Sequence, residues 1–227
     1  MSFSIIFENW KLFLEGIVVT LQLVPLALIF GFFMALPLSV MRASSNPFLK
    51  WPVYSFTYFF RGTPLLVQVY LLYYGLAQFS IVKETFLWDF FKDAYKVGLL
   101  SFSLNTAAYT TEIFRGAIER LPSGQIEAAK ACGMSPLTRL RRIILPIALR
   151  KSIPSYGNEV IFMLHGSSIC SLITIIDITG AARIVNSRYY GPVEAFLTAG
   201  VIYLCLTFFI VGAFKLLEKK FLSHIRR

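Results

Sequence analysis

The residues best equipped for chemistry in this chain are polar groups set against apolar sequence. Glu159 directly precedes an uncharged run over residues 160–176. Inside a lipid-spanning helix a charged side chain costs roughly 2.5–3.5 kcal/mol on insertion scales, so it persists where it has a task. At helical spacing Glu159 shares a stripe with Met163, Gly166 and Cys170, a narrow face whose glycine permits close helix approach. Two placements fit it: a carboxylate facing the interior of a helix bundle, or a helix-end glutamate paired with Arg150 or Lys151 or hydrated. In "RGTPLLVQ" (61–68), Thr63 and Pro64 read as an N-cap followed by proline at the first helical position. Such a helix start has free amides and a positive dipole end, which suit an anionic carboxylate. It equally describes a plain helix start at the cytoplasmic interface, with Arg61 snorkelling. Gly62 sits just before this turn, where a bulky side chain is expected to impair it, and Gln68 lies one turn further in. Asn105, Tyr109 and Glu112 share one face at i, i+4 and i+7. Asn105 serves either as interhelical glue or as a ligand group, and Glu112 is expected to pair with a cytoplasmic arginine. His165 lies about a third of a turn off the Glu159 stripe and reads as a satisfied core histidine. His224, in a basic tail, reads as solvated.

These groups need elements that live in lipid. The chain has 227 residues, of which 56% are hydrophobic and only 15% charged, with a mean hydropathy of +0.66. A soluble domain averages about a quarter charged residues. Residues 16–41, 62–82, 97–111, 160–176 and 195–214 contain no Asp, Glu, Lys or Arg. A bilayer core needs about 20 apolar residues in a helix. Three runs meet that length outright, and 97–111 and 160–176 meet it when Glu112 or Glu159 enters the helix. The expected architecture is all-α, with five transmembrane helices.

Charge orients it. Eight bases (Arg115, Arg120, Lys130, Arg139, Arg141, Arg142, Arg150, Lys151) lie between the third and fourth runs, and five more in the tail "KLLEKKFLSHIRR". Residues 80–96 balance Lys83, Lys92 and Lys96 against Glu84, Asp89 and Asp93. The positive-inside rule makes the central segment and C-terminus cytoplasmic and the N-terminus external. The net charge of +10 is thereby explained by topology, without nucleic acid. The opening "MSFSIIFENWKLFLEG" holds Glu8 and Glu15, with no basic n-region and no A-x-A-like site. Residues 1–15 read instead as an interfacial amphipathic helix with Phe3, Ile6, Phe7, Trp10 and Phe13 on one side. Cys132, Cys170 and Cys205 have neither disulfide nor zinc spacing.

The cytoplasmic segment over 119–150 is punctuated more closely than orientation alone requires. In "EAAKACGMSPLTRLRRIILP" (127–146), Ser123 just upstream can N-cap a first helix, and Gly133 sits where a left-handed residue would end it. Ser135 and Pro136 give a second N-cap with proline at the first position. Pro146 is expected to interrupt the helix downstream of it. Ala128 and Ala129 leave a smooth surface for another backbone. An ordinary basic loop and a docking element for a cytosolic partner both fit, and the docking element accounts for more of the punctuation.

Glu127-Ala128-Ala129, Gly133, Ile143, Leu145 and Pro146 match the EAA-x3-G-x9-I-x-L-P signature of bacterial ABC importer permeases at every position. "FRGTPLLVQ" (60–68), "LNTAAYTTEIFRGAI" (104–118) and "YGNEVIFMLHGSS" (156–168) resemble the polar amino-acid uptake branch. "NEVIFMLH" resembles the M-type permease of histidine/lysine/arginine/ornithine importers. The likeness runs from about residue 10 to the C-terminus.

The resemblance implies a type I ABC importer permease, a single transmembrane domain over 1–227 in the bacterial inner membrane. It pairs with a second permease, a paralogous Q-type subunit or an identical copy, and docks on a dimer of ATP-binding cassette ATPases. An extracytoplasmic binding protein delivers the amino acid. By resemblance, Glu127, Ala128, Ala129, Gly133, Ser135, Pro136, Arg139, Leu145 and Pro146 form the ATPase-coupling segment. Likewise Glu159, Asn105, Thr63, Gly62, Gln68 and Met163 are the substrate-binding candidates, with Glu159 suited to a cationic side chain such as arginine, lysine, histidine or ornithine. A glutamine- or glutamate-type permease is the neighbouring alternative. No lysine follows any glycine, so the chain has no P-loop, and ATP is expected on the partner. A secondary transporter would show internal repeats, and a membrane enzyme would need a reaction centre. Neither is legible here, and no cofactor or metal is expected.

Overall fold

The computed structural model describes residues 4–222, all helix and connecting turn. Phe3 and His224 lie outside the described residues. A five-residue helix α1 (Ser4–Glu8) is followed after Asn9 by α2 (Trp10–Arg42). Residues 10–15 are therefore the first turns of α2, not part of an interfacial helix ending at 15. The expected aromatic face is divided as well: Phe13 is buried, whereas Phe7 and Trp10 are exposed.

The buried residues of α2 recur every three or four positions, from Phe13 through Gly16, Thr20, Ala27, Gly31 and Ala35 to Ser39. Small residues on that stripe let backbones approach, which is how helices associate where no water drives them together. The stripe packs on α7 (Ala94–Glu119) and, nearer its start, on α11 (Ile178–Tyr189). At Gly31 a Cβ would stand 2.2 Å from Cγ2 of Thr106, and at Gly16 it would stand 2.7 Å from the backbone carbonyl oxygen of Asp177.

Between α2 and α7 the chain forms α3 (Pro47–Gly62), N-capped by the Asn46 side chain, and then α4 (Leu65–Tyr70). A π turn (Leu71–Gly75) and a 3₁₀ turn (Leu76–Gln78) extend α4, and two short helices follow, α5 (Ser80–Lys83) and α6 (Trp88–Phe91). Asp93 caps α7, accepting from the amides of Tyr95 and Lys96 at 3.0 and 3.3 Å. Slight burial pushes its carboxyl up, but those amides and the Lys96 ammonium outweigh it and hold the group below its usual range.

After α7 come α8 (Ser123–Ala131) and α9 (Pro136–Arg139), then a π turn (Leu140–Ile144) leading into α10 (Leu145–Gly166). The π turn explains how Pro146 is carried. A proline lacks the amide for the bond four residues back and crowds that carbonyl, and the wider preceding turn makes room. Pro146 therefore sits in the first turn of α10 rather than interrupting the helix. A 3₁₀ stretch (Ser167–Ile173) and a left-handed Thr174 turn the chain into α11. There Asp177 caps the Gly180 amide at 2.8 Å and accepts from the Tyr203 hydroxyl at 2.9 Å. The last helix, α12 (Pro192–Leu222), packs on α10 and α11.

The fold is an all-α, multi-pass membrane architecture, but its apolar segments are not five equal rods. By length and composition α2 and α12 can each cross a membrane, and Pro136–Ile173 with α11 forms a third candidate bent by 46°. Leu65–Gln78 is apolar but shorter. The run at 97–111 lies in α7, whose Ser101, Ser103, Asn105, Thr106, Thr110 and Thr111 are buried. That helix is long enough, about 39 Å at 1.5 Å per residue, but its neighbours in the bundle are protein, so it need not be apolar.

The contact at Gly16 is testable. Gly16→Ala forces a methyl group against backbone, and overpacking of this kind costs about 1–3 kcal/mol. The purified protein should melt at lower temperature, while Gly212→Ala, with open space around it, should not lower it. Equal melting of both variants would contradict the close α2–α11 approach.

Candidate functional site

Glu159 is 5% exposed. Among the described residues it makes no ion pair, so the alternative pairing with Arg150 or Lys151 is absent. It lines a cavity of about 250 Å³ together with Leu65, Asn105, Tyr109, Phe162 and Met163. The stripe read from the sequence is the wall of this cavity and its packing behind: Met163 and Cys170 are buried, and Gly166 lies against Leu65 and Phe102. The Thr106 hydroxyl approaches Glu159 from α7, and Arg61 is a cation whose field reaches it. The Thr106 contact falls short of a well-formed hydrogen bond, since that hydroxyl is buried without a geometric partner.

Asn105 is held from behind. Its amide nitrogen donates to Oε1 of Gln68 at 3.0 Å and, more weakly, to the Phe60 carbonyl at 3.4 Å. The Gln68 side chain in turn donates to the Phe60 carbonyl (2.7 Å), the Thr63 carbonyl (3.0 Å) and Oγ1 of Thr63 (2.8 Å). Gln68 and Thr63 are therefore braces rather than cavity walls. They fix Asn105 and tie the end of α3 to the start of α4.

Thr63 is not the N-cap of α4. Its hydroxyl donates back to the Phe59 carbonyl at 2.8 Å, and α4 starts after Pro64 without a side-chain cap. The first backbone bond of that helix runs from the Gln68 amide to the Pro64 carbonyl. The amides of Leu65, Leu66 and Val67 precede it, as at any helix start, and Leu65 borders the cavity. Gly62 has nothing among the described residues within 4 Å of where a Cβ would be, so none of them excludes a side chain there.

Arg61 lies 5.4 Å from the centroid of the Tyr109 ring, a cation–π arrangement at the edge of the cavity. Glu112, one turn further along the same face of α7, belongs to a different centre. It binds Nε of Arg42 at 3.0 Å, Nε of Arg115 at 2.7 Å and the Thr57 hydroxyl at 3.1 Å. The expected arginine partner is thus two arginines, and the cluster clamps α2, α3 and α7 together. His165 is exposed and hydrogen-bonded to the Thr207 hydroxyl at 3.0 Å, so it is not the core histidine expected. Phe162 and Leu65 were missed in the sequence. Only their helical spacing from Glu159 and Gln68 carried a signal, and apolar residues at such spacing abound in this chain.

Residues 119–150 form the expected pair of helices with altered details. Pro122, not Ser123, precedes α8, and no side chain caps it. Gly133 is left-handed at φ +73. The Gly133 amide reaches the Lys130 carbonyl at 2.9 Å and the Met134 amide the Ala129 carbonyl at 3.1 Å, the paired closure of a Schellman motif. Ser135 accepts from the Thr138 amide at 3.3 Å, with Pro136 opening α9. Glu127 and Ala128 are exposed and Ala129 is buried, so only one of the two alanines belongs to the outer surface. Arg139 at the end of α9 and Leu145 and Pro146 at the start of α10 are half-buried. Among the described residues, no group of histidine, cysteine, aspartate or glutamate is placed to hold a metal ion.

Known proteins resemble this chain in sequence and in fold. The octopine transport system permease protein OccM of Rhizobium radiobacter is 46% identical over 215 residues, covering 95% of this chain and 88% of that protein. The histidine/lysine/arginine/ornithine transport system permease protein HisM of Escherichia coli (strain K12) is 43% identical over 231 residues, covering 98% and 97%. A crystal structure of an amino acid ABC transporter with histidines contains a chain 33% identical, with a TM-score of 0.86 over 97% of this chain and 99% of that one. Residues 27–223 match the family described as binding-protein-dependent transport system inner membrane component. The chain belongs to that family, the permeases of ABC importers.

Proposed function

We propose that this permease carries cationic amino acids across a bacterial inner membrane, and that Glu159 meets the cationic side chain. The observation that carries this reading is a buried carboxylate without an ion pair among the described residues, facing a cavity of about 250 Å³. Such a group needs a compensating cation, hydrogen bonds or a proton, and the incoming substrate supplies the cation. A cavity of this size suits an amino acid rather than a drug-sized ligand. Asn105 contacts the substrate from α7, Met163 packs against its stem, and the opening amides of α4 receive the carboxylate. Gln68 and Thr63 position Asn105, and Gly62 keeps the approach to the α4 amides open. The relatives named for histidine, lysine, arginine and ornithine support the same substrate class. OccM-type similarity supports octopine as a second reading, tested by competition in the same uptake assay.

The whole chain acts as one transmembrane unit with five crossings, an external N-terminus and a cytoplasmic C-terminus. α2, α7 and α12 cross singly. α4 with its following turns is about 21 Å long, so α3 completes that crossing, and α10 with its 3₁₀ end makes the fourth. Phe162, 70% exposed at the cavity, faces a second permease, a paralogous Q-type subunit, that closes the site. Residues 119–150 form the coupling segment, with α8 docking on an ATPase dimer that binds and hydrolyses ATP. An extracytoplasmic binding protein delivers the amino acid.

Two experiments test these assignments. Glu159→Gln keeps shape and removes charge. A charge-assisted hydrogen bond contributes about 1.5–3 kcal/mol, so uptake affinity for arginine or lysine should fall by roughly one to two decades while assembly, melting and basal ATPase activity persist. Uptake like the parent's would remove the carboxylate from recognition, and loss of melting stability alone would make it structural.

Gly133→Val addresses coupling. A β-branched residue is penalised at positive φ, so the Schellman closure should distort and α8 lose its alignment. Reconstituted transporter should then stop transport, or hydrolyse ATP without responding to loaded binding protein. Normal substrate-stimulated hydrolysis and uptake would reject the coupling role.

A further inference from the structure

A second and larger cavity, of about 1050 Å³, opens between the ends of α7, α10 and α12 that carry the basic residues. Arg120, Lys151, Lys215 and Lys219 line it. None of the four makes an ion pair among the described residues. Of the two acids on its wall, Glu112 is already held by Arg42 and Arg115, which leaves Glu218 against four cations. Like charges gathered around one space repel, and the arrangement is relieved by an anion that reaches several of them at once.

Beside this cavity, and sharing Ser152 with it, runs an apolar groove of about 310 Å³. Phe32, Leu149, Ile153, Phe214 and Leu217 line it, with Arg150 also on its wall. A soluble anion would use the basic cavity and leave the groove empty. A neutral lipid would use the groove and leave the cations unmatched. One ligand satisfies both: a phosphodiester headgroup continuous with an acyl chain. Basic pockets between transmembrane helices on the cytoplasmic side are suited to anionic lipid headgroups.

We propose that this paired cavity and groove is a binding site for an anionic phospholipid of the cytoplasmic leaflet. Its phosphate lies among Arg120, Lys151, Lys215 and Lys219, and one acyl chain lies along the α10–α12 groove. The lipid holds the end of α12 against α10 and α7, at the root of the segment that leads to α8. The assignment to the cytoplasmic leaflet rests on the topology proposed above. That topology is read separately, from labelling of the exposed Cys132 by a membrane-impermeant maleimide in inside-out but not right-side-out vesicles.

The test uses the assembled transporter in detergent, where sidedness plays no part. Native mass spectrometry with added phosphatidylglycerol should show a retained lipid on each copy of this subunit, and phosphatidylcholine should not be retained. In Lys151→Gln/Lys215→Gln the apparent affinity for phosphatidylglycerol should fall at least tenfold, while Lys151→Arg/Lys215→Arg retains it, which separates lost charge from lost folding. Glycerol 3-phosphate in excess should fail to displace the lipid. Equal retention of phosphatidylcholine, unchanged retention by the glutamine variant, or displacement by glycerol 3-phosphate would each overturn the proposal.

Discussion

A helix with a polar face cannot show that face to lipid, and α7 is such a helix. Six Ser, Thr and Asn side chains between Ser101 and Thr111 are buried. Two return their hydroxyls to their own backbone, Ser101 to the Val97 carbonyl at 2.8 Å and Ser103 to the Leu99 carbonyl at 2.6 Å, whereas the Thr106, Thr110 and Thr111 hydroxyls have no hydrogen-bond partner among the described residues. The rest of α7 must be enclosed by protein, because lipid offers no partner for polar groups. α2, α3, α4 and α10 all pack on it. At Gly31 the approach of α2 leaves no room for a Cβ beside Thr106. Enclosure of α7 thus sets the bundle, and α12, whose most apolar window is only 11% buried, is left on its outside.

The candidate site follows from that enclosure. Asn105 lies on the side of α7 that meets the broken segment between α3 and α4, and Glu159 lies on the side of α10 turned toward the same gap. The Gln68 bridge spends its donors on the frayed end of α3 and its acceptor on Asn105, which makes the break rigid instead of loose. A few turns away, the Arg42–Glu112–Arg115 cluster fastens α2 to α7 through partly desolvated charge. Removal of one partner from such a cluster leaves an uncompensated charge, so the cluster and the site are separately held.

Local chemistry was legible in the sequence where a residue has few alternatives. Gly133 at positive φ, the Ser135-Pro136 helix start, the Glu112–Arg115 pairing and the inward stripe of Glu159 and Met163 all follow from short-range rules. What the sequence hid was set by neighbours far along the chain. Thr63 reads as a cap, but Gln68 claims its oxygen from the adjoining turn. Pro146 reads as a stop until a π turn makes room for it, and Ala129 reads as surface until that π turn and α9 pack against α8. The uncharged runs imply five spans because hydropathy registers composition and not which neighbour a helix will have. His165 was misplaced for the same reason: its partner Thr207 is 42 residues away.

The central claim is that a substrate cation completes Glu159 while the opening of α4 receives the carboxylate. It is tested most directly by a structure of the assembled transporter, held in its substrate-occupied state with bound arginine. The account predicts a guanidinium nitrogen within about 4 Å of the Glu159 carboxylate, an ion-pair distance, and the arginine carboxylate at the amides of Leu65 to Val67. Arginine bound elsewhere, or bound in this cavity with its guanidinium turned away from Glu159, would contradict it.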